Sequence, residues 1–351
     1  MSHEALFMIG FIVFIILMLA IDLGLFSKSD KPVSLKVAAI MSGIWVSFAL
    51  LFGLLLYFWG NELHNVHDFA RLKEIIAIHF HNISINESDL AASLHIYNKN
   101  LTIEYLTGYV VEYALSVDNI FVMVLLFNSF GIPEKYYHKV LVWGILGAII
   151  MRCIFIFVGA ALITKFGWIL YLFGAFLVFT GFNMYINRNK EEEIDPENHK
   201  VVKFMSKHFK VTHKLDSGNF FHSENGVKYM TPLFLVLIVI EFTDLVFAVD
   251  SIPAIFSITK DPYIVFFSNI FAILGLRSMF FLLINIIHKF HYLKVGLAFL
   301  LIFIGLKMLL HHWLSLWGFT TTHSLIIILA ILVISIVASL MFPKKKDFET
   351  Q

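Results

Sequence analysis

The sequence predicts an all-α polytopic membrane protein: one membrane domain over residues 1–351 with about nine transmembrane helices. Three observations predict it. Hydrophobic residues make up 59% of the chain and charged residues 15%, with a mean hydropathy of +0.82. A water-soluble domain of this size needs more polar surface than that. Apolar runs of about 18 residues or more, enough to cross about 30 Å of hydrocarbon as helix, recur down the chain. Finally, Lys and Arg are sorted to alternate connections between those runs.

Taken in order, the runs are Ala5–Phe26, Ser34–Trp59, Ile103–Phe127, Val140–Ile163, Trp168–Ile186, Pro232–Phe256, Ile264–Ile286, Val295–Leu310 and Ser324–Phe342. The first does not read as a cleavable signal: its flank "MSHE" carries no Lys or Arg, and no A-x-A-like site follows. The single cysteine, Cys153, lies in the fourth run and allows no intrachain disulfide. Connections on one side carry 18 Lys and Arg against 5 on the other. The positive-inside rule then predicts an external N-terminus and a cytoplasmic C-terminus. The net charge of +1 says nothing about partners; those expected are membrane lipid, a divalent ion and, for a scaffold, other membrane or exported proteins, with no nucleic acid.

Two connections are long. Residues 60–102 read as an extracytoplasmic insertion containing His64, His67, His79, His81 and His95 at irregular spacing, and a solvated acidic loop is expected there rather than a metal receptor. Residues 187–230 read as a cytoplasmic loop. In it, "KVVKFMSKHFKV" places Val201, Met205 and Phe209 on one face of a basic amphipathic helix, and "FFHSENGVKYM" reads as a hairpin turning at Asn225–Gly226.

The chain repeats internally. "KFGWILYLFGAFLVFTGFNM" from Lys165 aligns without gaps with "KFHYLKVGLAFLLIFIGLKM" from Lys289, an offset of 124. Arg152 and Arg277 match at 125, and "EYALSVDN" (Glu112–Asn119) matches "DLVFAVDS" (Asp244–Ser251) at 132. Spans three to five thus resemble spans six to eight. Units of three spans cross in opposite directions, which makes an inverted repeat with a substrate site expected near the midplane. "AIDLGLF" in the first span, with Asp22, echoes Ala248 and Asp250.

Spans three and six place Glu112, Asp118, Glu241, Asp244 and Asp250 in the membrane. Each costs about 2.5–3.5 kcal/mol at a helix centre, so a shared interior is expected. Arg152 and Arg277 offset two charges, and a divalent cation would offset two of the three that remain, unless some carboxylates are protonated. On a regular helix Glu112 and Asn119 stack, with Ser116 beside Glu112, while Asp118 lies about 120° round. Asp244, Ser251 and Asp250 repeat that spacing. Convergence of both acids on one ligand requires a break, and Pro253 supplies a means next to Asp250. Carboxylate, amide and hydroxyl oxygens suit Mn²⁺, Mg²⁺ or Ca²⁺ rather than Zn²⁺. No resident cofactor is implied.

"EYALSVDNIFV", "TPLFLVLIVIEFTDLVFAVDSIPAIF" and "FSNIFAILGLRSMFFLL" resemble the signature segments of the TerC/Alx family of bacterial integral membrane proteins, as does "AIDLGLF". The resemblance runs from about residue 5 to about 342 and implies an inner-membrane protein of the lysine-exporter type of inverted-repeat fold. The family is named for tellurium resistance, and some members are described as manganese exporters. Carried over, its acidic motifs fall on Glu112, Asp118 and Asn119, and on Glu241, Asp244, Asp250 and Ser251; Ser116, Arg152, Arg277 and Asp22 are supporting residues. The expectation is a divalent-cation exporter and not an enzyme. An aspartyl protease lacks its Gly-x-Gly-Asp context at Asp118 and Asp250, and no H-E-x-x-H occurs. A non-transporting scaffold for metal loading or folding of exported proteins is the alternative.

Overall fold

The computed structural model describes residues 3–26, 33–81, 83–188, 199–212, 218–224, 226–285 and 292–342, with the side chains of residues 3, 5, 22–26 and 312 excepted. Among the described residues it is helical apart from one hairpin and the turns between elements. In order come α1 (His3–Phe26), α2 (Leu35–Leu63), α3 (Phe69–His79), α4 (Leu90–Ser129), α5 (Tyr137–Lys165), α6 (Ile169–Ile186) and α7 (Lys200–His208). The antiparallel strands β1 (Phe221–Glu224) and β2 (Val227–Met230) follow. The chain closes with α8 (Pro232–Phe256), α9 (Pro262–Leu274), α10 (Leu276–Ile284), α11 (Leu293–Leu309), α12 (His311–Leu316) and α13 (Thr321–Met341).

Six of these, α2, α4, α5, α6, α8 and α13, are long and apolar enough to cross a membrane, and α9 with α10 forms a seventh if the pair, bent by 42°, is one span. The protein is therefore polytopic. Large apolar side chains point outward along these helices, Phe179 being 69% and Ile334 67% exposed. Lipid accepts such faces at no cost, whereas water would not.

Helix starts follow from local chemistry. Ser34, Asp68, Asp89 and Asp261 each accept an N–H of the first turn of α2, α3, α4 and α9. Pro232 and Pro262 occupy first-turn positions, where a missing N–H costs nothing. The interior is aromatic: Phe11, Phe52, Tyr105, Phe267 and Phe271 tie α1, α2, α4 and α9 together at ring separations of 4.4–6.1 Å. Small residues let α6 and α11 touch backbone to backbone. A Cβ at Gly305 would lie 2.6 Å from the Gly174 carbonyl oxygen, and one at Gly181 2.7 Å from that of Ala298.

The helix break expected at Pro253 does not form. α8 stays helical to Phe256, and the carbonyls of Pro253 and Ala254 both accept the Ser257 N–H. Pro253 lies one turn from the C-terminus, so the helix forgoes a single hydrogen bond, and the buried side chains from Ser251 to Phe256 hold the turn in place. Nor is α4 broken. The interruption comes instead at Gly275, between α9 and α10.

The long connections are more ordered than loops. α2 runs past its apolar run, α3 follows, and α4 begins at Leu90, so residues 60–102 are largely helical. In the connection 187–230, Val202 of α7 packs on the α8 side of the core, and Phe209 lies beyond the helix in extended backbone. Asn225, at the expected hairpin turn, lies outside the described residues, as does the Asp22 side chain.

Candidate ion-binding network within the membrane

Because α4 and α8 remain regular helices, the six-residue spacing keeps each pair of acids about 120° apart, and they meet different neighbours. Glu112 and Asn119 of α4 and Asp244 of α8 face α5, where Arg152 sits fully buried. Arg152 forms an ion pair with Glu112 through Nη1. Its Nη2 and Nε donate to the two oxygens of Asp244 at 3.1 and 3.4 Å, and Nη1 also donates to Asn269 Oδ1 of α9 at 3.2 Å. Asn119 Nδ2 donates to Asp244 Oδ1 at 3.5 Å. Four helices thus converge on one guanidinium.

The other predicted residues surround this knot. Asp250 is half-buried on another face of α8 and accepts from Thr180 Oγ1 of α6 at 3.4 Å. Glu241 lies against Gly147 of α5, where any Cβ would collide with its carboxylate. Asp118 is half-buried on α4. Arg277, buried at the start of α10, donates to His138 Nδ1 at 3.2 Å. Ser116 and Ser251 are buried on the facing helices, and among the described residues neither hydroxyl has a hydrogen-bond partner; the Asn269 Nδ2 amide is in the same condition.

Asn269, Thr180 and His138 were not anticipated. Asn269 was legible in principle as a lone amide within "FSNIFAIL", an apolar run where a polar side chain needs a partner. Thr180 and His138 carry no such signal, since threonine bonds to its own helix and a histidine near a span end is commonplace.

Buried histidines also replace the expected solvated loop. His64 and His81 are buried, each against a carboxylate, and His79 is half-buried beside them, whereas His67 and His95 are exposed. Asp261 lies among them in the α8–α9 connection. Burial pushes its carboxyl upward, but the charge and hydrogen bond of His64 and the charges of His79 and His81 overcome this and hold it well below the usual carboxylate range. Burial lowers His81, but the charge and hydrogen bond of Glu104 raise it overall.

With this geometry in hand, similarity becomes informative. The family model described as "Integral membrane protein TerC family" matches residues 97–347. The chain belongs to the TerC family. Within it, the chain is 41% identical over 332 residues to the Myxococcus xanthus "Uncharacterized membrane protein STKORF319", covering 95% of this chain and 91% of that one. It is 42% identical over 302 residues to a proposed membrane-bound redox modulator, Alx, of Escherichia coli K12, covering 86% and 84%. A Rickettsia felis membrane protein is 38% identical over 324 residues, covering 92% and 94%. No solved structure matches this TerC chain. The family region takes in every acid of the network, and the histidine-bearing ends of α2 and α3 lie before it.

Proposed function

We propose that this TerC protein is a divalent metal-ion exporter of the bacterial inner membrane, with Mn²⁺ as substrate, working by alternating access between two inverted three-helix units. The observation that carries the reading is the charge imbalance around Arg152. Five acids on α4 and α8 accompany two buried arginines, and next to them stand hydroxyls without partners. An oxygen-seeking cation of charge two offsets two of the three surplus negative charges, and one proton on a carboxylate offsets the third. Arg152 then acts as an internal stand-in: it holds Glu112 and Asp244 while no ion is bound, and an entering cation competes for the same oxygens. Asp250 with Thr180, and Glu241, form flanking stations on the same helix.

The contacts of α6 with α11 support the inverted repeat. The offset of 124 carries Gly174 to Ala298 and Gly181 to Gly305, so it carries the pair Gly174–Gly305 into the pair Ala298–Gly181, and both pairs are in close backbone contact. In this reading nine spans put the N-terminus outside and the C-terminus in the cytoplasm.

The scaffold reading draws on the redox role proposed for Alx relatives, although a lone Cys153 offers no dithiol chemistry. Cellular Mn content by elemental mass spectrometry separates the two. Cells stripped of their own exporters and challenged with Mn²⁺ should hold less Mn with the wild type than with Asp250→Asn at matched membrane levels. Equal Mn in both, with other divalent ions also unchanged, refutes export.

A further inference from the structure

At the α3 end of the bundle, far along α4 from the Arg152 knot, a second set of ligand-type atoms converges. Nitrogen atoms of His64 and His79 and a carboxylate oxygen of Asp261 lie within 4.8 Å of one another. They come from the end of α2, the end of α3 and the α8–α9 connection. We propose that they form a transition-metal site of the Zn²⁺ class, distinct from the oxygen-only acids in the membrane.

The hydrogen bonding around the cluster has the form of a metal site's outer shell. His64 Nδ1 faces Glu4 Oε1 at 3.2 Å, and Arg71 fixes both partners, donating to Glu4 Oε1 and to the His64 carbonyl oxygen, each at 3.2 Å. His64 Nε2 lies 2.9 Å from Asp261 Oδ2, so with one proton on Nδ1 facing Glu4 the contact is held either by a second proton, as the hydrogen bond described above, or by a cation in its place. A lone pair and a carboxylate oxygen repel unless a second proton or a cation lies between them. Asp261 uses Oδ1 to cap α9 through the Tyr263 N–H at 2.9 Å, so Oδ2, which faces only His64 Nε2 among these contacts, is the oxygen that would take a ligand. Carboxylate–histidine–metal chains of this kind orient ligands in zinc sites.

A third imidazole supplies the independent sign. His81 is buried, its Nδ1 pairs with Glu104 Oε1 at 3.0 Å, and its Nε2 has no hydrogen-bond partner among the described residues. Its ring lies 5.9 Å from that of His79, which lies 4.9 Å from that of His64. Glu104 is itself held by Asn100 at 2.7 Å and Thr259 at 2.6 Å. Tetrahedral bonds of about 2.0–2.1 Å place ligands of one zinc ion about 3.3 Å apart, so gathering atoms that lie within 4.8 Å requires separations to close by up to about 1.5 Å, shared between side chains. Two or three imidazoles with one carboxylate suit Zn²⁺, Co²⁺, Ni²⁺ or Cu²⁺ and disfavour Ca²⁺ and Mg²⁺. A cavity of about 890 Å³, lined by His79, Glu104 and Thr259, gives an ion a route in.

The inference is independent of the export reading. The test uses purified full-length protein in detergent, stripped with chelator, then titrated with Zn²⁺ under equilibrium dialysis and with Co²⁺ under visible absorption. The expected result is one Zn²⁺ per chain at micromolar or better affinity and intense Co²⁺ d–d bands, both unchanged in Asp250→Asn. His79→Ala, at a half-buried position, should weaken binding at least tenfold while keeping the wild-type elution profile; His81→Ala gives a second reading if it does not. Absence of stoichiometric binding, which would mean that a proton joins His64 to Asp261, overturns the proposal. Binding that both histidine variants leave unchanged overturns it as well.

Discussion

Replacing Arg152 by glutamine strands two buried carboxylates at once. In the wild type the guanidinium is fully buried, Glu112 is also fully buried, and Asp244 is 4% exposed, so water cannot take over the lost contacts. Breaking a buried ion pair from one side costs about 3–5 kcal/mol. Here both an ion pair and a two-pronged Asp244 contact are lost, which puts the expectation toward the upper end. At about 2 °C per kcal/mol for a large chain, the melting midpoint should fall by about 6–10 °C. The assay is intrinsic tryptophan fluorescence on heating in detergent, with six tryptophans as reporters. Adding Glu112→Gln and Asp244→Asn to Arg152→Gln removes the stranded charges and should recover more than half the loss. A single variant melting within about 1 °C of wild type, against that expected fall, would refute the claim that the arginine holds these helices together.

Other outcomes follow from individual contacts. Gly305→Val places atoms against the Gly174 carbonyl and should destabilise by about 1–3 kcal/mol, read as a lower melting midpoint, whereas Gly131→Ala meets no neighbouring atom and should show only the smaller penalty of its positive φ. Pro253→Ala restores a helical N–H in a turn that is already helical and should leave the midpoint unchanged or higher; a large drop would mean that the proline shapes α8 after all. The depressed Asp261 carboxyl contributes its stabilisation in full above the ordinary value of about 3.9 and loses it as pH falls below. The gap in melting midpoint between wild type and Asp261→Asn, measured in chelator, should therefore be widest near neutral pH and shrink below about pH 4; a gap that widens on acidification has the wrong sign.

Much of the architecture was readable from composition, because about 18 apolar residues in a row leave a chain little choice. The acids, too, stood out as polar groups without water. Reasoning from local sterics failed at Pro253, where burial of the surrounding side chains outweighed one missing hydrogen bond, and it overlooked Gly275, where the bend did occur. The histidines were misread for a different reason. Their partner, Asp261, lies 197 residues from His64, and no spacing rule reaches across that distance. Irregular spacing in sequence concealed a compact arrangement in space, since the ends of α2 and α3 and the α8–α9 connection are neighbours only once the bundle has assembled.

The unbroken length of α4 has a mechanical consequence. Its 40 residues make a rod of about 60 Å, roughly twice the hydrocarbon thickness, so a long arm extends beyond the lipid. Glu104, which grips His81 and Thr259, and Glu112, which grips Arg152, stand eight residues apart on that rod, about 12 Å along its axis. Between them there is no joint to absorb motion. The two grips therefore sit on one continuous element, and a rotation of α4 that carries one carries the other.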